Sequence, residues 1–393
     1  MLIIESILVY TTLTIAMFFF AKLGEKPSQM QAVYNAIPII LFTLVFGLRY
    51  GVGVDYANYV MEYDEWFEGL TFTEMLKGDF EPGLVVIIYL CKLFHWPSYM
   101  LFTFVSFIQI ILIHAAFSEQ PQLRKYVYLA FIFLGIAITD FTNAIRQHIA
   151  VCFFMCSLIQ IEHKNFGKYL LLWICACLFH KSAVIIFPAY FIWRNRSEWF
   201  TNTIIQTAIL IGCFASTFFD ILPALMTIFQ KLIELVGYGN YLDDITNLTF
   251  DKQFGFTKYI EFFSLLTIVL FSNKIKKHFN SDLVNIMYDL FFIGICCKYL
   301  FMGSMLFRRI ALYFIDFYFV FYGIALAYFK DTFKESIKQL LPALFVYFTL
   351  FVTYAKQIYY CETFTGAYVT YFQKSWHETK DIQREELIDS MGF

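Results

Sequence analysis

The stretch Arg309-Ile310-Ala311-Leu312-Tyr313-Phe314-Ile315-Asp316-Phe317-Tyr318-Phe319-Val320-Phe321-Tyr322-Gly323-Ile324-Ala325-Leu326-Ala327-Tyr328 decides the fold. After its opening arginine it carries a single formal charge, Asp316. As a helix it is long enough to cross a bilayer core of about 30 Å, which takes about 20 residues. Working outward, further apolar helical candidates run 3–21, 33–48, 83–96, 98–117, 126–139, 146–161, 169–179, 182–193, 202–219, 259–272, 283–302 and 340–358. Segments 83–96, 169–179 and 182–193 are short for a full span, so they are expected to be half-helices, re-entrant, or joined in pairs. The reading is an all-α, polytopic integral membrane protein with about eleven to thirteen transmembrane or re-entrant helices.

Composition agrees. The chain has 393 residues, of which 60% are hydrophobic, 21% aromatic and 15% charged. A soluble domain carries about 25% charged residues. The 50 Phe and 27 Tyr fit a lipid-facing surface with amphipathic rings at the interfaces. A net charge of −2 argues against a nucleic-acid partner, which would want a basic surface. Of nine Cys, eight lie in or beside apolar runs, and Cys175-Ala176-Cys177 and Cys296-Cys297 lack zinc-ligand spacing. They read as small apolar filler, with no metal site and no cofactor. Met1 to Phe20 has no basic n-region, so it reads as a retained first helix.

The organisation expected is one membrane domain over 1–358 and a C-terminal tail over 359–393. Two long connections, 49–82 and 220–258, read as extracytoplasmic surface segments with interfacial helices. Lys274, Lys276 and Lys277, then Lys330, Lys334 and Lys338, and Arg194 with Arg196 are the basic clusters expected on the cytoplasmic side. That orientation puts His180, Arg146, Arg308 and Arg309 near the outer face. The side of 49–82 depends on whether one of the three helices after it is re-entrant.

Ionisable residues inside apolar segments are expensive and need a partner, water or a ligand. Four groups stand out. In Arg49-Tyr50-Gly51-Val52-Gly53-Val54-Asp55-Tyr56-Ala57-Asn58-Tyr59, the glycines permit a tight path, Arg49 and Asp55 can pair, and Tyr56 and Tyr59 offer rings for sugars; the plainer reading is an interfacial arginine in an aromatic belt. Glu81-Pro82-Gly83 opens a helix, where an acid suits the positive end and proline the first position. In Asp140-Phe141-Thr142-Asn143-Ala144-Ile145-Arg146-Gln147-His148, helical spacing puts Asn143, Arg146 and Gln147 on one face, a phosphate-binding pattern or a polar hinge. Finally, His180-Lys181-Ser182 lies between short helices, and Arg308-Arg309 precedes Tyr313 and Asp316 at helical spacing. Asp316 there invites a partner in Arg309 or Tyr313, and His180 reads first as a satisfied core histidine and only second as a catalytic one.

At these residues the chain resembles the EpsG-like family of exopolysaccharide-synthesis membrane proteins, relatives of the Wzy-type O-antigen polymerases. The carrying motifs are Arg49…Gly53-Val54-Asp55-Tyr56…Tyr59, Glu81-Pro82-Gly83, Ile145-Arg146-Gln147, Phe179-His180-Lys181-Ser182-Ala183 and Arg309-Ile310…Tyr313-Phe314. The resemblance implies a bacterial inner-membrane polymerase joining oligosaccharide repeat units carried on undecaprenyl pyrophosphate, with a fold like the GT-C-type membrane glycosyltransferases. It implies roles for Arg49, Asp55, Tyr59, Glu81, Arg146, Gln147, His180 and Arg309, with the doubled Arg308-Arg309 leaving two candidates for one arginine. A lipid-linked donor and acceptor, the bilayer and a chain-length regulator are the partners it admits. On this reading Arg146 and Arg309 clamp the diphosphate without metal, Asp55 or Glu81 accepts the hydroxyl proton, and His180 competes as base. Arg49, Tyr56, Tyr59, Asn143, Gln147, Arg308 and Tyr313 complete the substrate contacts. Two rivals are a lipid-linked oligosaccharide flippase, which would more often show internal repeats and charges through a central cavity, and a membrane O-acyltransferase acting on a glycan.

Overall fold

The computed structural model describes residues 2–78, 80–219, 255–302, 304–334, 337–360, 367–377 and 381. It is 78% helical, and the described residues contain no strand. Among the described residues, five helices are long and apolar enough to span a bilayer: Ile3–Leu23, Tyr99–Ala116, Asp282–Leu300, Phe307–Thr332 and Gln339–Tyr359. Shorter apolar helices are Gln31–Gly47, Pro82–Leu93, Phe166–Phe179, Lys181–Trp193 and Thr203–Phe218. The chain is an all-α polytopic membrane protein.

Local chemistry explains where the helices break. The stretch around Asp316 forms helices Met305–Ile315 and Phe317–Thr332, and Asp316 itself keeps helical angles (φ −68°, ψ −16°), so the span runs through it. The candidate at 126–139 divides into Arg124–Phe133 and Ile136–Thr139 at Gly135, whose φ of 80° is open to glycine but strained for other residues. The candidate at 182–193 becomes a 3-10 helix, Lys181–Ile186, and a short helix, Ala189–Trp193. Pro188 accounts for the division, because it lacks the N–H that an α-helix through this point would need. Most of the 220–258 connection lies outside the described residues, as does Cys361; its end is helical, since Phe256–Phe279 begins there.

The chain forms two compact units, Met1–Cys152 with Phe351–Phe393, and Phe153–Leu350. In the first, Gln31–Gly47 packs against Tyr99–Ala116 and Leu2–Leu23, and Leu2–Leu23 also lies on Arg124–Phe133. Phe42 anchors this core, stacked on Phe46 at 4.5 Å and on Phe131 at 5.6 Å. Such ring pairs contribute about 0.5–1.5 kcal/mol each beyond area burial. The tail returns to this unit: Tyr50 N–H donates to Val369 O (2.7 Å) and Tyr371 N–H to Leu48 O (2.8 Å).

In the second unit, Asp282–Leu300 packs against Met305–Ile315, Phe317–Thr332 and Thr203–Ala215. Asp289, 0% exposed within that span, is satisfied by three donors. Its Oδ2 accepts from Trp193 Nε1 (2.9 Å) and Trp199 N (2.8 Å), and its Oδ1 from Phe200 N (3.3 Å). This pins the connection between Ala189–Trp193 and Thr203–Ala215. Of the basic residues expected on the cytoplasmic side, Lys276 is buried, with its ammonium on Glu198 and Phe200 O, while Lys274 and Lys277 are exposed. Asp289→Ala strands two main-chain N–H groups and an indole N–H. We expect it to cost on the order of 3 kcal/mol, read as a lower thermal midpoint of the purified protein. An unchanged midpoint would remove Asp289 from the fold's supports.

Candidate functional site

Helix Gln31–Gly47 ends at a turn that leads into helix Tyr56–Met61. Arg49 is 1% exposed in that turn. Its Nε donates to Val52 O (3.2 Å), its Nη1 to Phe46 O, and its guanidinium lies 4.6 Å from the Phe102 ring centroid. Burial lowers its pKa to about 10, opposed by the surrounding tyrosines, so it remains a cation at neutral pH. The pairing of Arg49 with Asp55 expected from sequence is not among the ion pairs of the described residues. Arg49 holds carbonyls and the returning tail, with its own backbone bridged to Thr370.

Asp55 is engaged elsewhere. Its N–H donates to Asn143 Oδ1 (3.1 Å), and its Oδ2 accepts from Ala144 N (2.8 Å). Asn143 Nδ2 in turn donates to Thr139 O (2.6 Å). Ala144 sits in the left-handed region at φ 43°, a strained conformation for alanine that this clasp holds in place. Gly53 makes the clasp possible. At φ 100° a Cβ there would stand 2.9 Å from Thr142 O and 3.0 Å from Asn143 Oδ1.

Immediately after Ala144, helix Ile145–Glu162 begins, with Arg146 in its first turn. Arg146 Nη1 donates to Glu81 Oε2 at 2.5 Å; the side chains are 27% and 13% exposed. Its guanidinium lies 5.1 Å from the Phe80 ring centroid and also donates to the Tyr59 hydroxyl. Burial raises the Tyr59 pKa to about 12, so that hydroxyl keeps its proton. Glu81 stands at the N-cap position of helix Pro82–Leu93 with proline at its start, as the Glu81-Pro82 sequence suggests, but its side chain makes no capping bond.

A further acid completes the cluster. Helix Tyr56–Met61 runs into a π-helical turn, Glu62–Trp66, a geometry found often at functional sites. The Glu62 Oε2 atom is buried and has no hydrogen-bond partner among the described residues. Burial raises the Glu62 pKa to about 7; Arg146 draws it down and Asp55 pushes it up.

Thus Asp55, Tyr59, Glu81, Asn143 and Arg146 come together, although they are spread over three stretches of sequence. Others are placed differently. Tyr56 and Tyr59 are each 5% exposed, and Tyr56 stacks on Phe102 at 4.6 Å, so the sugar-stacking role expected of them does not fit. Gln147 is buried, and both functions of the Asn143 amide are used within the protein; Asn143 positions Arg146 rather than offering donors beside it.

In the second unit, His180 caps the 3-10 helix. Its Nδ1 accepts from Ser182 N (3.3 Å) and meets Ser182 Oγ at 2.6 Å, and Ser182 Oγ is 3.1 Å from the buried Tyr313 hydroxyl. A main-chain N–H can only donate, so Nδ1 is an acceptor and the neutral ring carries its proton on Nε2. That tautomer makes His180 a donor at Nε2 and weakens its claim to be the base. Arg308 and Arg309 are exposed at the start of Met305–Ile315, and Asp316 is buried at its end.

The sequence model of the EpsG family matches residues 32–372, a range holding every residue of both clusters. The chain belongs to the EpsG family. It is therefore a membrane protein of a family associated with exopolysaccharide synthesis. No curated protein and no solved structure matches it.

In this EpsG-family chain, Glu62 is the site residue that sequence reasoning passed over. Its signal was present: Asp55, Tyr59 and Glu62 follow the four-then-three spacing of one helical face. It was hidden among Asp64, Glu65 and Glu68, which are exposed, so charge alone did not separate it from a solvated acidic loop.

Proposed function

We propose that this EpsG-family protein is a polysaccharide polymerase of the bacterial inner membrane. It joins oligosaccharide repeat units carried on undecaprenyl pyrophosphate, at the outer face, toward an exopolysaccharide, capsule or O-antigen. The observation that carries the reading is Arg146: a part-exposed guanidinium set by Glu81 and Tyr59 at a helix start, with a carboxylate oxygen in its field that meets no donor among the described residues.

The donor's anomeric carbon already bears a good leaving group, so the protein's tasks are to meet charge growing on the diphosphate and to orient an acceptor hydroxyl. A guanidinium has five N–H donors, more than Glu81 and Tyr59 occupy, and its planar fork suits phosphate oxygens. The ion pair with Glu81 fixes its orientation before substrate arrives. Arg308 and Arg309, exposed in the second unit, are candidates for meeting phosphate charge by their guanidinium chemistry alone. In the reaction the acceptor oxygen bonds to the anomeric carbon, the carbon–oxygen bond to the diphosphate breaks, and its electron pair leaves with undecaprenyl pyrophosphate. The hydroxyl proton passes to a carboxylate.

The test is reconstitution. Purified full-length protein in lipid nanodiscs, given a lipid-linked repeat unit, should yield a ladder of longer lipid-linked glycans, and excess chelator should leave the ladder intact. A ladder abolished by chelator would remove the rationale for arginine as the sole diphosphate ligand. In the native host, deleting the chain should leave single repeat units exposed outside; their retention on the inner leaflet would identify a flippase.

A further inference from the structure

Three carboxylates lie around Arg146, and two are committed. Asp55 Oδ2 accepts from Ala144 N, which holds the start of the Arg146 helix, and Glu81 Oε2 is the ion-pair partner of Arg146. Asp289, buried in the second unit, shows the contrast, with three donors on its carboxylate. Glu62 Oε2 is buried with none among the described residues. Leaving a buried polar atom unmet costs about 1–3 kcal/mol. The π-helical turn that opens at Glu62 is a second departure from regular structure at the same residue.

We propose that Glu62 is the catalytic base of the polymerase reaction, an inference that rests on the polymerase reading above. Its Oε2 takes the proton of the acceptor hydroxyl while that oxygen forms its bond to the anomeric carbon. The electron pair of the breaking bond departs with the diphosphate, whose charge Arg146 meets. The proton then leaves Glu62 for water before the next acceptor enters. A base is most effective when its pKa lies near the working pH, and burial brings Glu62 to about 7. Tyr59, one turn back on the same face and held by Arg146, keeps the acid and the cation in register.

The experiment compares wild type and Glu62→Gln as full-length protein in nanodiscs with a lipid-linked repeat unit. Initial polymerisation should fall by about 10²- to 10⁴-fold, the usual contribution of general acid–base catalysis. Binding of the lipid-linked unit should stay within about twofold, because Gln keeps the shape and Arg146 is untouched. A variant retaining more than about a tenth of the wild-type rate overturns the assignment while the polymerase reading stands. A wild type that makes no ladder overturns both. The amide removes a poorly solvated carboxylate, so Glu62→Gln should unfold no earlier than wild type above pH 7, where the raised pKa leaves the wild-type group ionised at a disadvantage. If it does not fold, Glu62→Ala with added formate decides. A rate that rises with formate supports a missing base, and a flat response overturns it.

Discussion

Arg146→Lys should cut polymer formation by about 10²-fold, and Arg146→Ala by about 10³-fold or more, the range for losing a preorganised donor to developing charge. Lysine keeps the positive charge but not the fork. An ammonium drawn to Glu81 has no fixed second pair of donors for a phosphate, whereas the guanidinium reaches Glu81 and Tyr59 with N–H groups to spare. Sizing lipid-linked glycans in the native host reads the result: single repeat units accumulate and long chains vanish. The alanine variant needs a control, since it also strands Glu81, a mostly buried carboxylate. The double variant Arg146→Ala with Glu81→Gln should recover stability and no activity. Near-normal chain lengths from Arg146→Lys would mean that charge alone suffices and the clamp is not a fork. Arg309→Lys and Arg309→Ala, run in parallel, test the second unit's arginine independently.

Gly53→Ala carries the largest expected effect on the fold near the site. Two terms act together. The backbone at φ 100° lies outside what an L side chain adopts readily, and the new Cβ would press on Thr142 O and Asn143 Oδ1 at 2.9 Å and 3.0 Å. Together these should cost on the order of 3 kcal/mol. Because Asn143 and Ala144 are held by Asp55, opening that clasp displaces the first turn carrying Arg146, so activity should fall with the midpoint. Gly69→Ala separates the two terms. Gly69 has φ 69° and nothing within 4 Å of a built Cβ, so it should show only the backbone term of about 1–2 kcal/mol. Equal midpoints for the two variants would show that the contact between residues 53 and 142–143 is not tight in solution.

The membrane fold was legible in the sequence because its cause is local. Apolar runs of helical length suffice for spans, and Gly135 and Pro188 act on their own backbones to divide two of them. Glu81-Pro82 declared a helix start for the same reason. The site was legible in part. Arg146 and Glu81 are 65 residues apart, and Asp55 and Ala144 are 89 apart; all but Ala144 were singled out, but their pairing was not. Nearness in sequence favoured Arg49 with Asp55, yet Arg49 is drawn to carbonyls and to the tail.

What the amino-acid order determined alone was which segments leave water, because transfer into lipid depends on composition summed over one helix. Which polar groups meet was decided only by the packed chain. Hydrogen bonds act over about 3 Å, so a carboxylate such as Glu62 is told from its exposed neighbours only when burial and the absence of a donor are known. One face of one short helix carried the information, and the surrounding fold gave it meaning.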